Sequence, residues 1–356
     1  MPSKTLVLHI GDHKTGSTSI QYAFAGKRVK LAGQRVQYPG TLSHNSLRGQ
    51  LVLLRQPEDT RKQATDKLSR MAERFANSNA DILLLSAESL DGADPQQVKD
   101  MVDRFFGPII DQLRIAAYVR PHAPRILSSF ATQTKSGRFT GTLQEFHHSM
   151  LDKGRLMYLP RFLQWRETFG DAFHLRPMVR KQLVNSSVLD DFITHMMGCD
   201  DYQITTLPPA NPSLPLRDLM RLKMMHQSLG RLARADRHSL GWEFQRLATT
   251  QTDPTPQPKL ALHHALAEDI RAAYAADAEA MDQAFFGGAA ILRPDLDQAV
   301  EKAIPEALSV DPADYFSPEE IRSLTALSNL TATLVRHKPA KWRAHLKQKR
   351  VASLAL

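Results

Sequence analysis

The sequence predicts an α/β fold in which a parallel sheet lies between helices in three layers, with a largely helical part toward the C-terminus. Three observations carry this. Up to Lys135, short β-branched or leucine-rich runs alternate with longer amphipathic stretches, as they do where helices cover a parallel sheet. The short runs are apolar throughout rather than every second residue, which suits strands buried on both faces. A turn containing Gly, Lys and hydroxyl residues then joins the first run to a helical stretch.

The first strand is expected over Thr5 to Ile10, the second over Ile82 to Ser86 and the third over Leu113 to Val119. Between the first two, Glu58 to Ala76 places Leu among Lys and Arg at helical spacing. A fourth strand falls at Ala172 to Val179, where Phe173, Leu175 and Val179 share a face at period two and Pro177 interrupts the run. From Asn185 the texture changes. A helix opens at Ser187, Pro208, Pro209 and Pro212 break the chain, and Leu214 to Ala248 forms a long helical stretch with an interruption expected at Gly230 or Gly241. Gln251 to Pro258 carries closely spaced prolines, which cannot continue a helix, and is read as a linker. Leu260 to Phe286 is helical again. The last helix runs from Ser317 to Leu334, with Ser as cap and Pro318 at its first position. The expected organisation is an α/β domain over 1–250 with helical insertions and a helical extension over 259–356.

At 356 residues, 42% hydrophobic and 23% charged, the chain has the composition of a protein that folds around a core rather than a disordered one. Its one cysteine, Cys199, excludes an intrachain disulfide and a multi-cysteine metal site. No stretch is long and apolar enough to span a membrane, and the run after Lys4 is too short for a secretory leader, so a cytoplasmic location is expected. The net charge of +9 favours anionic partners. Part of it lies in the tail from Arg336 to Arg350, around Trp342. Two readings stand for that tail: a solvated terminal helix, or one that docks on a partner or on an anionic membrane surface, which would place the protein at the inner membrane face. Nucleic acid is not expected, because zinc-finger spacing and RNA-recognition motifs are absent and only 7% of residues are aromatic.

The chemistry is carried by His9-Ile10-Gly11-Asp12-His13-Lys14-Thr15-Gly16-Ser17-Thr18-Ser19-Ile20-Gln21, directly after the first strand. Strand, glycine turn, hydroxyls and helix together aim backbone N–H groups and the positive helix end at one anion. The usual NTPase loop has Gly-Lys-Ser/Thr in order, whereas here Lys14 precedes Thr15, Gly16, Ser17 and Thr18. At the end of the third strand stands Arg120, and Ser128 follows eight positions on within the next helix. A guanidinium offers a two-pronged fork for phosphate and a hydroxyl adds a short bond.

Lys14-Thr15-Gly16-Ser17-Thr18 resembles the 5′-phosphosulfate loop of sulfotransferases that use 3′-phosphoadenosine-5′-phosphosulfate (PAPS), and the longer string is similar to a bacterial branch of that family. The resemblance implies the P-loop-like sulfotransferase fold. It assigns Lys14 with Thr15 to Ser19 to the 5′ end of the donor, and Arg120 with Ser128 to its 3′-phosphate. It further implies 3′-phosphoadenosine 5′-phosphate (PAP) as product, transfer without a metal, and a hydroxyl or amine acceptor on a glycan, lipid or small metabolite. Softer similarities include Tyr38-Pro39-Gly40 with His44, Ser86-Ala87-Glu88, Tyr158-Leu159-Pro160 and Asp191-Phe192.

Family members take the acceptor proton with a His or a Glu. Three residues stand in order for that role: His44 after the Tyr-Pro-Gly turn, Glu88 beyond the second strand, and His13 beside Lys14. Glu88 could equally cap a helix. Two other readings remain beside the sulfotransferase: a P-loop kinase or other ATP-dependent phosphotransferase, and a non-catalytic nucleotide-binding protein. Against the kinase stand the order of Lys14 and Gly16 and the lack of an Asp at the end of the second strand.

Overall fold

A computed structural model describes residues 3–40, 42–205, 214–249 and 258–352. Pro208, Pro209, Pro212 and the expected linker up to residue 257 lie outside the described residues. The chain divides into two compact units, one of Met1–Pro121, Tyr158–Ala210 and Ala280–Ile291, the other of His122–Met157, Asn211–Glu279 and Leu292–Leu356. This division differs from a single break near 251–258. Proline density marks where a helix stops, not which core the helices on either side join.

The strands, in chain order, are β1 (Thr5–Gly11), β2 (Val29–Leu31), β3 (Val36–Gln37), β4 (Ile82–Ser86), β5 (Gln112–Val119), β6 (Phe173–Pro177) and β7 (Tyr202–Ile204). A five-stranded sheet has the order β3-β4-β1-β5-β6 with every neighbour parallel, and β2 pairs with β7 in an antiparallel ribbon. Every residue of β1 and β4 is buried, which explains their unbroken apolar runs. Pro177 ends β6 at the sheet edge, where its missing N–H breaks no inner ladder.

In the first unit α1 (Ser17–Ala25), α2 (Ser46–Leu54), α3 (Glu58–Ala76) and α4 (Pro95–Phe105) connect the strands. The second unit takes α5 (His122–Lys135) and α6 (Leu143–Asp152), and the first resumes with α7 (Tyr158–Phe169) and the single turn α8 (Val188–Asp191). The remaining helices are α9 (Leu216–Ser228), α10 (Arg234–Ala248), α11 (His264–Phe285), α12 (Leu292–Glu301), α13 (Pro318–His337) and α14 (Pro339–Ala352).

One layer of the first unit's core is built from Val7, Leu84, Ala116 and Tyr118 of the sheet against Ile20 and Phe24 of α1 and Leu189, Phe192, Ile193 and Met196 in and beyond α8. Each large apolar side chain so buried stabilises the fold by about 1.5–3 kcal/mol relative to exposure. Beneath it, the buried Asp191 carboxylate accepts from Tyr118 Oη at 2.7 Å and from Arg176 Nη2 at 2.6 Å, so the charge that would otherwise be stranded is paired.

The second unit is helical. Gly230 lies in the break between α9 and α10, as the sequence allows. Gly241 does not interrupt α10: a Cβ there would lie 2.1 Å from the Lys135 carbonyl oxygen, so glycine lets α10 close against the end of α5. Ser317 caps α13 reciprocally with Glu320. No helix among the described residues is long and apolar enough to cross a membrane.

Candidate anion-binding site at the carboxyl edge of the sheet

Because β1 lies between β4 and β5 and all three are parallel, the segments following them open at one edge of the sheet. This is where open α/β sheets bind ligands. The segment after β1 brings Lys14, the one after β4 brings Glu88, and the one after β5 brings Arg120.

The loop from Asp12 to Gly16 is fixed from within and from both sides. The Asp12 amide donates to Tyr118 O at 3.2 Å, the His13 amide to Asp12 Oδ1 at 2.6 Å, and Thr15 Oγ1 to Asp12 O at 2.6 Å. Two residues turn the chain with positive φ, Lys14 at 66° and Gly16 at 82°. A Cβ on Gly16 would lie 2.7 Å from Val188 Cγ1, so the loop is seated on α8 at a distance only glycine permits. Gly11 does the same on the other flank, where a Cβ would meet Glu88 Cα at 3.0 Å.

Beyond the loop, α1 opens without a side-chain cap. Ser19 and Ile20 donate back to Gly16 O, but among the described residues the amides of Thr15, Gly16, Ser17 and Thr18 donate to no carbonyl outside the helix, and a helix offers its first turn none. Ser17 is 3% exposed and its Oγ has no hydrogen-bond partner among the described residues. Unspent amides, a buried unspent hydroxyl and the positive end of a helix dipole form the donor set an oxyanion requires. Thr15 differs from Ser17, since its hydroxyl is committed to the loop.

Arg120 Nη1 donates to Lys14 O at 3.1 Å, and Tyr158 Oη donates to Arg120 O at 2.9 Å. The guanidinium and the lysine backbone are thereby held side by side. Ser128 stands in α5, in the second unit, half-buried. A further arginine, Arg161 of α7, donates to Asp12 Oδ2 at 3.1 Å and to Asp91 Oδ2 at 3.4 Å, bracing the loop from below. Sequence reasoning missed Arg161 and Asp91 and gave Asp12 no role of its own, because partners 149 residues apart leave no spacing signal. Burial pushes the Asp91 carboxyl up, opposed by His13 and Arg161.

Of the three residues weighed as base, His44 is 4% exposed and has both ring nitrogens engaged by backbone. Nδ1 accepts the Ser86 amide at 2.9 Å, and Nε2 donates to Pro39 O at 3.1 Å. The lone pair that would receive a proton is already used, and burial lowers the basicity of the ring. His44 ties the Tyr38-Pro39-Gly40 turn to the end of β4.

Glu88 and His13 are placed differently. Glu88 Oε2 lies 3.8 Å from His13 Nδ1, and His13 Nε2 lies 3.6 Å from Asp91 Oδ1, with His13 46% exposed at the mouth of the site. Burial would push the Glu88 carboxyl up, but the hydrogen bond and charge of His13, with Lys14 and His9, together hold it below the usual value. Glu88 is therefore ionised at neutral pH. Behind it His9 is wholly buried, with Nδ1 2.9 Å from Ser86 Oγ, which also accepts from Gln21 Nε2 at 3.2 Å. Burial drives His9 down to about 4, against the opposing charge of Glu88, so its ring is neutral at pH 7.

No family model, curated protein or solved structure matches the chain.

Proposed function

We propose that the chain is a PAPS-dependent sulfotransferase that moves a sulfuryl group to a hydroxyl or amine acceptor. The observation that carries the proposal is the pairing of Arg120 with the Lys14 carbonyl. It sets a guanidinium at the end of β5 beside a loop and helix start where, among the described residues, the amides of Thr15 to Thr18 donate to no carbonyl outside the helix and the Ser17 hydroxyl has no partner. A nucleotide with phosphate at both 3′ and 5′ positions asks for two such anion sites a short distance apart, and a nucleoside triphosphate does not.

In this reading the acceptor oxygen or nitrogen bonds to sulfur as the bond from sulfur to the 5′-phosphate oxygen breaks, and charge gathers on the departing phosphate. Lys14 and the amides of Thr15 to Thr18 meet that charge with fixed donors, which need no reorganisation as it develops. Arg120 holds the 3′-phosphate and, through the Lys14 carbonyl, keeps the loop in register with it. Glu88 receives the acceptor proton. A carboxylate of low basicity suffices where the transition state is loose and the acceptor loses its proton late, as in phosphoryl transfer. His13, next to Glu88, orients that carboxylate and faces the transferred group.

The experiment is release of PAP from PAPS with a chelator present, followed by chromatography against a panel of hydroxyl and amine acceptors. Turnover that disappears in Lys14→Ala supports the proposal. Transfer from ATP with magnesium, and none from PAPS, would transfer it to the kinase class.

A further inference from the structure

The second unit ends in two helices whose outer surface is unlike the rest of the protein. Helix α13 turns Ser328, Ala332 and Val335 inward, where Ala332 and Val335 pack on Leu229 and Leu232. On its other side Leu327, Leu330 and Leu334 fall at i, i+3 and i+7 and are 60%, 56% and 54% exposed. Single exposed leucines are ordinary, but three aligned on one helical stripe are not. Immediately beyond, α14 exposes Trp342, and Arg336, Lys338, Lys341, Lys347 and Lys349 are exposed around it. From Arg336 to Arg350 the sequence contains no Asp or Glu. Arg343 is held at 3.2 Å by the buried Asp236 of α10, which fixes α14 to the unit while Lys341 and Lys347 stay exposed.

We infer that α13 and α14 form a docking surface for an anionic phospholipid bilayer. Each part of the surface answers one layer of that partner: leucines enter the acyl region, the indole lies at headgroup depth, and the ammonium and guanidinium groups reach the lipid phosphates. A second copy of the chain would bring two cationic arrays together, and a nucleic acid would leave the leucines in water. An anionic bilayer satisfies both at once.

The test uses the full chain and vesicles of phosphatidylcholine with an equal share of phosphatidylglycerol, against pure phosphatidylcholine, read by co-sedimentation and by Trp emission. The wild type is expected to sediment with the anionic vesicles only, with a blue shift that Trp342→Phe removes. A triple variant, Leu327→Ser with Leu330→Ser and Leu334→Ser, should lose at least tenfold in partitioning. The pair Lys341→Glu and Lys347→Glu should lose roughly fivefold or more per site, and added salt should act in the same direction. Equal melting temperatures and PAP affinity in the variants show that the loss is not unfolding; should the triple variant fail to fold, the charge pair and the salt series carry the same test. Three results would overturn the inference: no sedimentation with anionic vesicles, sedimentation indifferent to both variants, or a dimer abolished by the leucine substitutions that vesicles do not compete away.

Discussion

Arg120 reaches across the carboxyl edge of the sheet and donates to the main-chain oxygen of Lys14 at 3.1 Å, joining the end of β5 to the apex of the β1–α1 loop. The contact makes Arg120 a strut, and in the proposed function it is the phosphate fork as well. Replacing it therefore removes more than one charge. Arg120→Lys keeps the charge and loses the fork, so it should restore little of the affinity for PAP. A full rescue by Lys would reduce Arg120 to a point charge.

Lys14 should separate binding from chemistry. In the proposed reaction its ammonium meets charge that grows only as the sulfur–oxygen bond breaks, so Lys14→Ala is expected to lower turnover about 10²–10³-fold, more than it weakens PAP binding. Single-turnover measurements beside direct binding check this. Equal losses in both would make Lys14 a simple ground-state contact.

His44 and Glu88 give opposite signatures. His44→Ala strands the Ser86 amide and the Pro39 carbonyl, at a cost of about 1–3 kcal/mol for each group left buried and unmet, while bound PAP is unaffected. Glu88→Gln keeps the shape and removes the proposed base, so turnover should drop about 10²–10⁴-fold with little change in melting temperature. Denaturant titration and initial rates on both variants decide between them. A Glu88→Gln enzyme with wild-type turnover would return the proton to another group.

Gly16 tests the seat of the loop. Gly16→Ala forces a side chain to adopt a φ of 82°, costing about 1–2 kcal/mol, and drives its Cβ toward Val188. The double variant with Val188→Ala relieves the collision but not the backbone strain, so it should recover part of the stability. PAP affinity should fall in the single variant and recover in step. Recovery to wild type would mean that strain contributes nothing.

Stability should fall on acidification. His9 titrates at about 4 in the folded chain against 6.5 when unfolded, so the unfolded state binds the extra proton between those values. The contribution is complete above pH 6.5 and is lost as pH falls toward 4, by about 3 kcal/mol over the window. The buried rings of His44 and His226 are shifted the same way by burial and add to it. Urea midpoints from pH 7.5 to 4.5 measure this, and a flat series would contradict it.

The sheet was readable where burial on both faces wrote itself into composition: β1, β4 and β5 lie where the apolar runs fall, and α3 has the expected ends. Two-residue β3 carries no periodicity, and β2 pairs with β7 across most of the unit, so neither leaves a local signal. The site divides in the same way. Lys14 to Ser19 are consecutive and Arg120 terminates a strand, so position alone marked them. His44 drew attention by its place after a turn, but sequence does not show that the backbone had taken both its nitrogens. Arg161 was silent for the opposite reason, since its purpose exists only once Asp12 and Asp91 are side by side.

The most direct measurement is calorimetric titration of the protein with PAP in the absence of metal, beside ADP and ATP with magnesium, repeated on Arg120→Ala. The account predicts selective binding of PAP that weakens at least tenfold in the variant. Equal or tighter binding of magnesium-ATP, unchanged by the substitution, would contradict it.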